Sequence, residues 1–130
     1  MAQPKLSHIG QIALTVSDIE TVLPFYRDSL GLEFLFSAGP NLTFFQSGET
    51  RIMLTTPQGG NTEIGKNSIL YFTVEEIEET YQAIVENGGT AERKPEIAAQ
   101  MPDHQLWLAF LRDPDGNLVG LMEEKPIGED

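Results

Sequence analysis

The chemistry open to this chain is limited by its side chains: two histidines, His8 and His104, and no cysteine among 130 residues. The lack of cysteine excludes a disulfide framework, thiolate metal sites and a thiol nucleophile. His104 is the most suggestive group, because an imidazole entering a strand from an irregular loop suits a proton donor or acceptor to a ligand. A loop histidine bonded to backbone is the plainer account of the same residue. His8 precedes the first strand and by parity faces away from Gln11, which suits packing or surface duty. Arg51 suits either a ligand carboxylate or a strand neighbour. Trp107 needs no ligand if it lies between a sheet and a helix.

Other signals carry little chemistry. Gly60-x-x-x-x-Gly65-Lys66 approaches a phosphate-binding loop, but Asn67 stands where a magnesium-binding hydroxyl is needed and a strand follows. Asn41-Leu42-Thr43 matches a glycosylation acceptor that is inert without a signal peptide. Glu75, Glu76, Glu78 and Glu79 crowd the start of a helix, where negative charge complements the dipole, so a solvated helix start is expected there.

The elements that must position these residues come as a repeat. Residues 12–32 lie without a gap on residues 70–90, with Thr15/Thr73, Val16/Val74, Ile19/Ile77, Glu20/Glu78 and Gly31/Gly89 coincident. In each copy a period of two marks one strand face, Ile12/Leu14/Val16 and Leu70/Phe72/Val74. Ser17-x-x-Glu20 and Thr73-x-x-Glu76 resemble capping boxes. Helical spacing follows in Ile19, Val22, Leu23, Tyr26 and Leu30, then in Ile77, Tyr81, Ile84 and Val85. Pro24 predicts a kink or a short first turn, and Gly31 and Gly88-Gly89 predict helix ends.

Three strands are expected after each helix. They fall at about residues 33–37, 42–47 and 51–56, then 91–94, 105–112 and 117–123, with Asp113-Pro114-Asp115-Gly116-Asn117 as a hairpin turn. The order is βαβββ twice, an α+β fold. Module one covers about residues 8–57, a glycine-rich linker 58–67 and module two about 68–125. An irregular insertion is expected around 95–104, between Pro95 and Pro102, as a loop able to close a pocket.

Composition restricts the partners. Hydrophobic residues at 40% and charged residues at 22% place the chain among soluble globular proteins, and its length supports one domain with a sizeable core. Eight basic against twenty acidic residues give a net charge of −12, a field that repels phosphate backbones and anionic headgroups. Neither nucleic acid nor membrane is an expected partner. No apolar run approaches the roughly 20 residues of a spanning helix, and Met1 to Ala13 lacks a signal-peptide core, so the expected address is the cytoplasm.

The repeat, LPFYRDSLGLEF and AFLRDPDGNLVGLMEE together resemble the vicinal oxygen chelate superfamily, the glyoxalase, bleomycin-resistance and dioxygenase group. The resemblance spans nearly the whole chain. It implies two modules in one chain whose mixed sheets curl around a central cavity, and it implies a homodimer, which would also cover exposed sheet edges. Metal-dependent relatives place ligands at positions that here hold Gln11, Met53, Ile69 and Gly120. Three of these side chains cannot ligate a divalent ion and a lone amide oxygen is weak, so neither a metal nor another cofactor is expected. Shifting a strand by one residue would turn the side chain to the opposite face.

A largely apolar cavity is what remains. With strand parity, the resemblance implies the ligand-binding set Gln11, Leu42, Phe44, Arg51, Met53, Tyr71, His104, Leu108, Phe110 and Gly120; it is the resemblance that turns Leu42, Phe44 and the parity of His104, Leu108 and Phe110 inward, since periodicity does not choose between Phe44 and Phe45. Gln11, Arg51, Tyr71 and His104 would hold the polar end of a small, mainly apolar organic molecule. Fold analogy alone leaves other functions open. One alternative is a lyase, isomerase or dioxygenase-type enzyme with His104 as the candidate catalytic group; another is an interaction module with a vestigial cavity.

Overall fold

The computed structural model describes residues 4–57 and 64–127; most of the expected linker, residues 58–63, lies outside the described residues. The first half contains β1 (Gln11–Thr15), α1 (Ile19–Pro24), a π-helical turn (Phe25–Ser29), β2 (Glu33–Ser37), β3 (Leu42–Ser47) and β4 (Thr50–Thr55). The second contains β5 (Leu70–Thr73), α2 (Ile77–Glu86), β6 (Thr90–Gln100), β7 (His104–Arg112) and β8 (Leu118–Pro126). The sheet orders are β1-β4-β3-β2 and β5-β8-β7-β6. In each, the first and last strands pair in parallel and the other pairs are antiparallel. Both are open, mixed, four-stranded sheets, and the fold is two copies of βαβββ.

Alternation decides which face of each sheet is buried. Leu14, Val16, Phe45, Ile52 and Leu54 of the first half join Ala109, Leu111, Val119 and Leu121 of the second. Ile19, Val22, Phe25, Tyr26, Ile77 and Ile84 from the helical segments complete one buried cluster. Each fully buried aliphatic or Phe side chain contributes about 1.5–3 kcal/mol, so a core shared between the copies binds them firmly.

Several local expectations are corrected. Asp18, not Ser17, caps α1: its carboxylate accepts the Thr21 amide at 3.0 Å and the Thr21 hydroxyl at 2.9 Å. Ser17 is diverted by a stronger partner, since its hydroxyl and amide both donate to Asp115, at 2.6 and 2.7 Å. Thr73 does not cap α2 either. The Ile77 amide donates to Glu123 Oε1 at 2.9 Å, so the cap comes from β8 across the sheet. Pro24, lacking an amide proton, ends the α-helical stretch. The chain continues with a π-type bond from Leu30 N to Phe25 O, 2.9 Å.

The expected irregular insertion is mostly strand. β6 runs through residue 100, paired with β7, and absorbs irregular residues as register shifts, including one that contains Pro95. An edge strand tolerates proline because its outer amides need no ladder partner, and bulges with charged residues blunt the edge. The turn itself is short, with Met101 N donating to His104 O at 2.8 Å. Glu96, Ile97 and Ala98 of β6, not a loop, line a small cavity beside Leu108 and Phe110.

The DPDGN hairpin holds the halves together through polar groups. Asp113, 3% exposed, accepts from Tyr26 Oη at 2.7 Å, Asn117 Nδ2 at 2.9 Å and the amides of Asp115 and Asn117 at 2.9 and 2.8 Å. Asn117 Oδ1 accepts from Asn67 Nδ2 at 2.9 Å, and the Asn67 amide brackets Thr15: Oδ1 accepts Thr15 N at 3.0 Å while Nδ2 donates to Thr15 O at 2.9 Å. Gly65, at φ +82°, passes so near the hairpin that a Cβ there would lie 2.7 Å from Asp115 O. Satisfied buried networks of this kind fix one arrangement of the elements they join.

Candidate functional site

The sheet faces turned away from the shared core carry the expected ligand-binding residues. On the first sheet the strand registers set Gln11, Arg51 and Gln46 in one row, Ala13, Met53, Phe44 and Phe36 in the next, and Thr15, Thr55 and Leu42 in the third. Arg51 lies over the Phe44 ring, 5.7 Å from its centroid, so cation–π attraction holds it against the apolar row. The register also separates the two phenylalanines of β3: Phe44 is on this open face, while Phe45 packs against Tyr26 in the core.

Phe36, a residue that sequence alternation does not mark, joins this face beside Phe44. Alternation in β2 puts Phe34 and Phe36 on one side, but a bulge between them breaks the parity. Phe34 stacks edge-on with core Phe45 at 5.9 Å, whereas Phe36 lies 4.8 Å from Phe44. A bulge costs one unpaired residue and has no reliable mark in a single sequence.

On the second sheet, Tyr71, Gly120, Phe110 and Arg93 form one row, with Thr73, Met122, Leu108 and Glu96 beside it. The Tyr71 ring crosses β8 over Gly120 to meet Phe110 edge-on at 5.8 Å. That crossing requires glycine, since a Cβ at position 120 would lie 2.7 Å from Tyr71 Cδ2. Tyr71 remains 46% exposed.

His104 opens β7 at the far end of the same face. Its Nδ1 lies 2.8 Å from Asp103 Oδ1, and Nε2 lies 3.9 Å from Glu124 Oε1. The hydrogen bond from the imidazole holds the Asp103 carboxyl below its ordinary range. His8 is exposed ahead of β1. Trp107 is partly buried against the core, under Lys125 Nζ at 4.0 Å from its ring centroid; the same ammonium bonds Glu78 at 2.9 Å and lowers that carboxyl's pKa.

The structure thus gathers Gln11, Leu42, Phe44, Arg51 and Met53 on one open face, and Tyr71, His104, Leu108, Phe110 and Gly120 on the other. Among the described residues, no hydrogen bond, ion pair or ring contact joins the two groups. The four family metal positions do not fit a divalent ion. Gln11 Nε2 is turned to Met53 Sδ at 3.9 Å, Ile69 has no donor atom, and the space above Gly120 is filled by the Tyr71 ring. Among the described residues, no group of three or more histidine or acidic side chains is placed to hold a metal. Among the described residues, no helix is long and apolar enough to cross a membrane.

Two βαβββ units with a shared helical core and outward open sheet faces define a two-module α+β protein. Residues 8–121 match the family model of the Glyoxalase/Bleomycin resistance protein/Dioxygenase superfamily, and the chain belongs to that superfamily. It is 32% identical over 124 residues to the uncharacterized protein YraH of Bacillus subtilis (strain 168), covering 84% of this chain and 92% of YraH. The crystal structure of virulence protein STM3117 from Salmonella typhimurium superposes with a TM-score of 0.75 at 24% identity, covering 92% of this chain and 98% of that one. The crystal structure of lactoylglutathione lyase from Agrobacterium tumefaciens gives 0.73 at 24% identity, covering 92% and 96%. The structural likenesses establish the fold.

Proposed function

We propose that this chain is a metal-independent binding protein for a small, mainly apolar organic molecule, acting as a homodimer in the cytoplasm. The observation that carries the reading is the pair of open sheet faces. Each is lined by aromatic and aliphatic groups, and a few polar ends stand among them. Large apolar side chains stand exposed on both faces and mark interaction surfaces: Phe36 on the first is 48% and Tyr71 on the second 46% exposed. Among the described residues the two groups of candidate residues share no hydrogen bond, ion pair or ring contact within a chain, and a second copy supplies the missing wall when the first open face of one subunit meets the second open face of the other. Gln11 and Arg51 then hold a polar end from one side, Tyr71 and His104 from the other. Apolar burial supplies most of the affinity and the polar groups supply selection.

The test combines light scattering with calorimetry on a ligand found by library screening. A dimer that binds the ligand, with binding weakened by both Arg51→Ala and Tyr71→Ala, is expected. Mixing the two variant chains should restore a fraction of intact sites. A species of only 14.4 kDa at all concentrations, or binding indifferent to both substitutions, refutes the shared site.

A second reading, an acid/base enzyme of the same superfamily, rests on His104 and its carboxylate partner Asp103, because such a pairing orients an imidazole for proton transfer. Turnover of a candidate substrate that is abolished by His104→Ala distinguishes it from binding alone.

A further inference from the structure

On the opposite side of the second sheet, where the helices lie, a cleft of about 200 Å³ opens between the two halves. Leu30 and Leu32 close it from the first half, on either side of the Gly31 turn. Phe72 and Leu121, cross-strand neighbours on β5 and β8, form its floor, and Ile84 and Thr80 of α2 form the other wall. The two halves are joined at this end by Ser29 Oγ donating to Asn87 O at 2.7 Å. No lining residue carries a charge. The Thr80 hydroxyl makes no hydrogen bond to another described residue, although the Thr80 amide completes the helix by donating to Glu76 O at 2.8 Å.

We propose that this cleft is a second binding site, independent of the open faces, for a small uncharged molecule with an apolar body and one hydroxyl or carbonyl group. Size sets the upper limit: a cavity of about 150 Å³ lined by leucine, isoleucine and phenylalanine accommodates benzene, so about 200 Å³ takes a single ring with a short substituent. Charge sets the class. A carboxylate would lose its hydration with no cation in the wall to replace it, inside a chain of net charge −12. Thr80 sets the orientation, because its hydroxyl can donate to or accept from the one polar group of the ligand. Since the walls come from both halves, occupancy strengthens their contact.

The experiment is a methyl-resolved NMR titration of the full chain with benzyl alcohol, toluene and benzoate. Benzyl alcohol should shift the methyl signals of Leu30, Leu32 and Ile84 to saturation, and benzoate should not. Thr80→Val keeps the side-chain shape and removes the hydroxyl; it should weaken benzyl alcohol about two- to tenfold, as for a lost hydrogen bond, with toluene unchanged. The unchanged toluene arm shows that the cleft is intact. Shifts confined to open-face residues such as Met53 and Leu108, benzoate binding as well as the alcohol, or equal weakening of alcohol and toluene by Thr80→Val overturns the proposal.

Discussion

Tyr26 Oη donates a 2.7 Å hydrogen bond to Asp113 Oδ2, joining the first helical segment to the last hairpin across 87 residues of sequence. Both residues are almost fully buried, Tyr26 at 1% and Asp113 at 3% exposure. Burial first, and the adjacent carboxylate second, push the phenol far above its ordinary pKa. The Tyr26→Phe protein should be less stable by about 1–3 kcal/mol, the range for removing one partner from a buried polar group.

The same bond sets an alkaline limit. A folded-state pKa above the unfolded value of 10.0 gives stability that is complete below that pH and declines above it, because the unfolded chain ionises Tyr26 while the folded chain keeps the proton. Denaturant melts from pH 8 to 11 should show a steeper alkaline loss in wild type than in Tyr26→Phe. Equal slopes would remove this account.

Asn67 acts as a one-residue strand partner for Thr15 on the edge of the first sheet. Asn67→Ala should cost about 1–3 kcal/mol and speed hydrogen exchange at the Thr15 amide. Asn67→Asp keeps an acceptor for that amide but loses the donor to Thr15 O and Asn117, so it should protect Thr15 better than alanine does.

Gly120→Ala should force the Tyr71 ring off β8, because the new methyl would sit 2.7 Å from it. Losing the edge-on contact with Phe110 costs about 0.5–1.5 kcal/mol. The Tyr71–Phe110 cross-peaks in a nuclear Overhauser spectrum should vanish. If they persist with unchanged stability, the glycine is not required by the ring.

The protein purified without chelator should contain no stoichiometric Zn, Ni, Fe or Mn, because Met53, Ile69 and Gly120 supply no ligating side chain. Elemental analysis decides this. One ion per chain, lost on Gln11→Ala, would reverse the metal-independent reading.

His104→Ala should weaken a polar ligand of the open-face site by about 1–3 kcal/mol, with the fold intact. Calorimetry on both proteins measures it. Equal affinities would leave His104 as the partner of Asp103 alone.

The sequence alone determined the features that repeat with a fixed local period. Alternation set Leu14, Val16 and Leu121 on the face opposite Gln11 and Met53, and it set Phe110 opposite Leu111, because successive side chains of a strand must point to opposite sides; the family resemblance chose which side of that last strand lines the cavity. The repeat and the DPDGN turn gave the order βαβββ twice. The residue types at Met53, Ile69 and Gly120 told against a family metal without any geometry, since donor atoms belong to the side chain itself.

Other features depended on partners distant in the chain, and only the tertiary structure decided them. Ser17 was a plausible cap until Asp115 took both its donors, and α2 is capped by Glu123 of another strand. The bulge that sends Phe36 to the open face, and the register shifts that let β6 pass Pro95, depend on what the neighbouring strand offers. Gly120 read as a missing ligand in sequence; in three dimensions it is the floor beneath Tyr71. Hydrogen-bond competition and steric contact between distant segments have no period, so they appear only once the chain is folded.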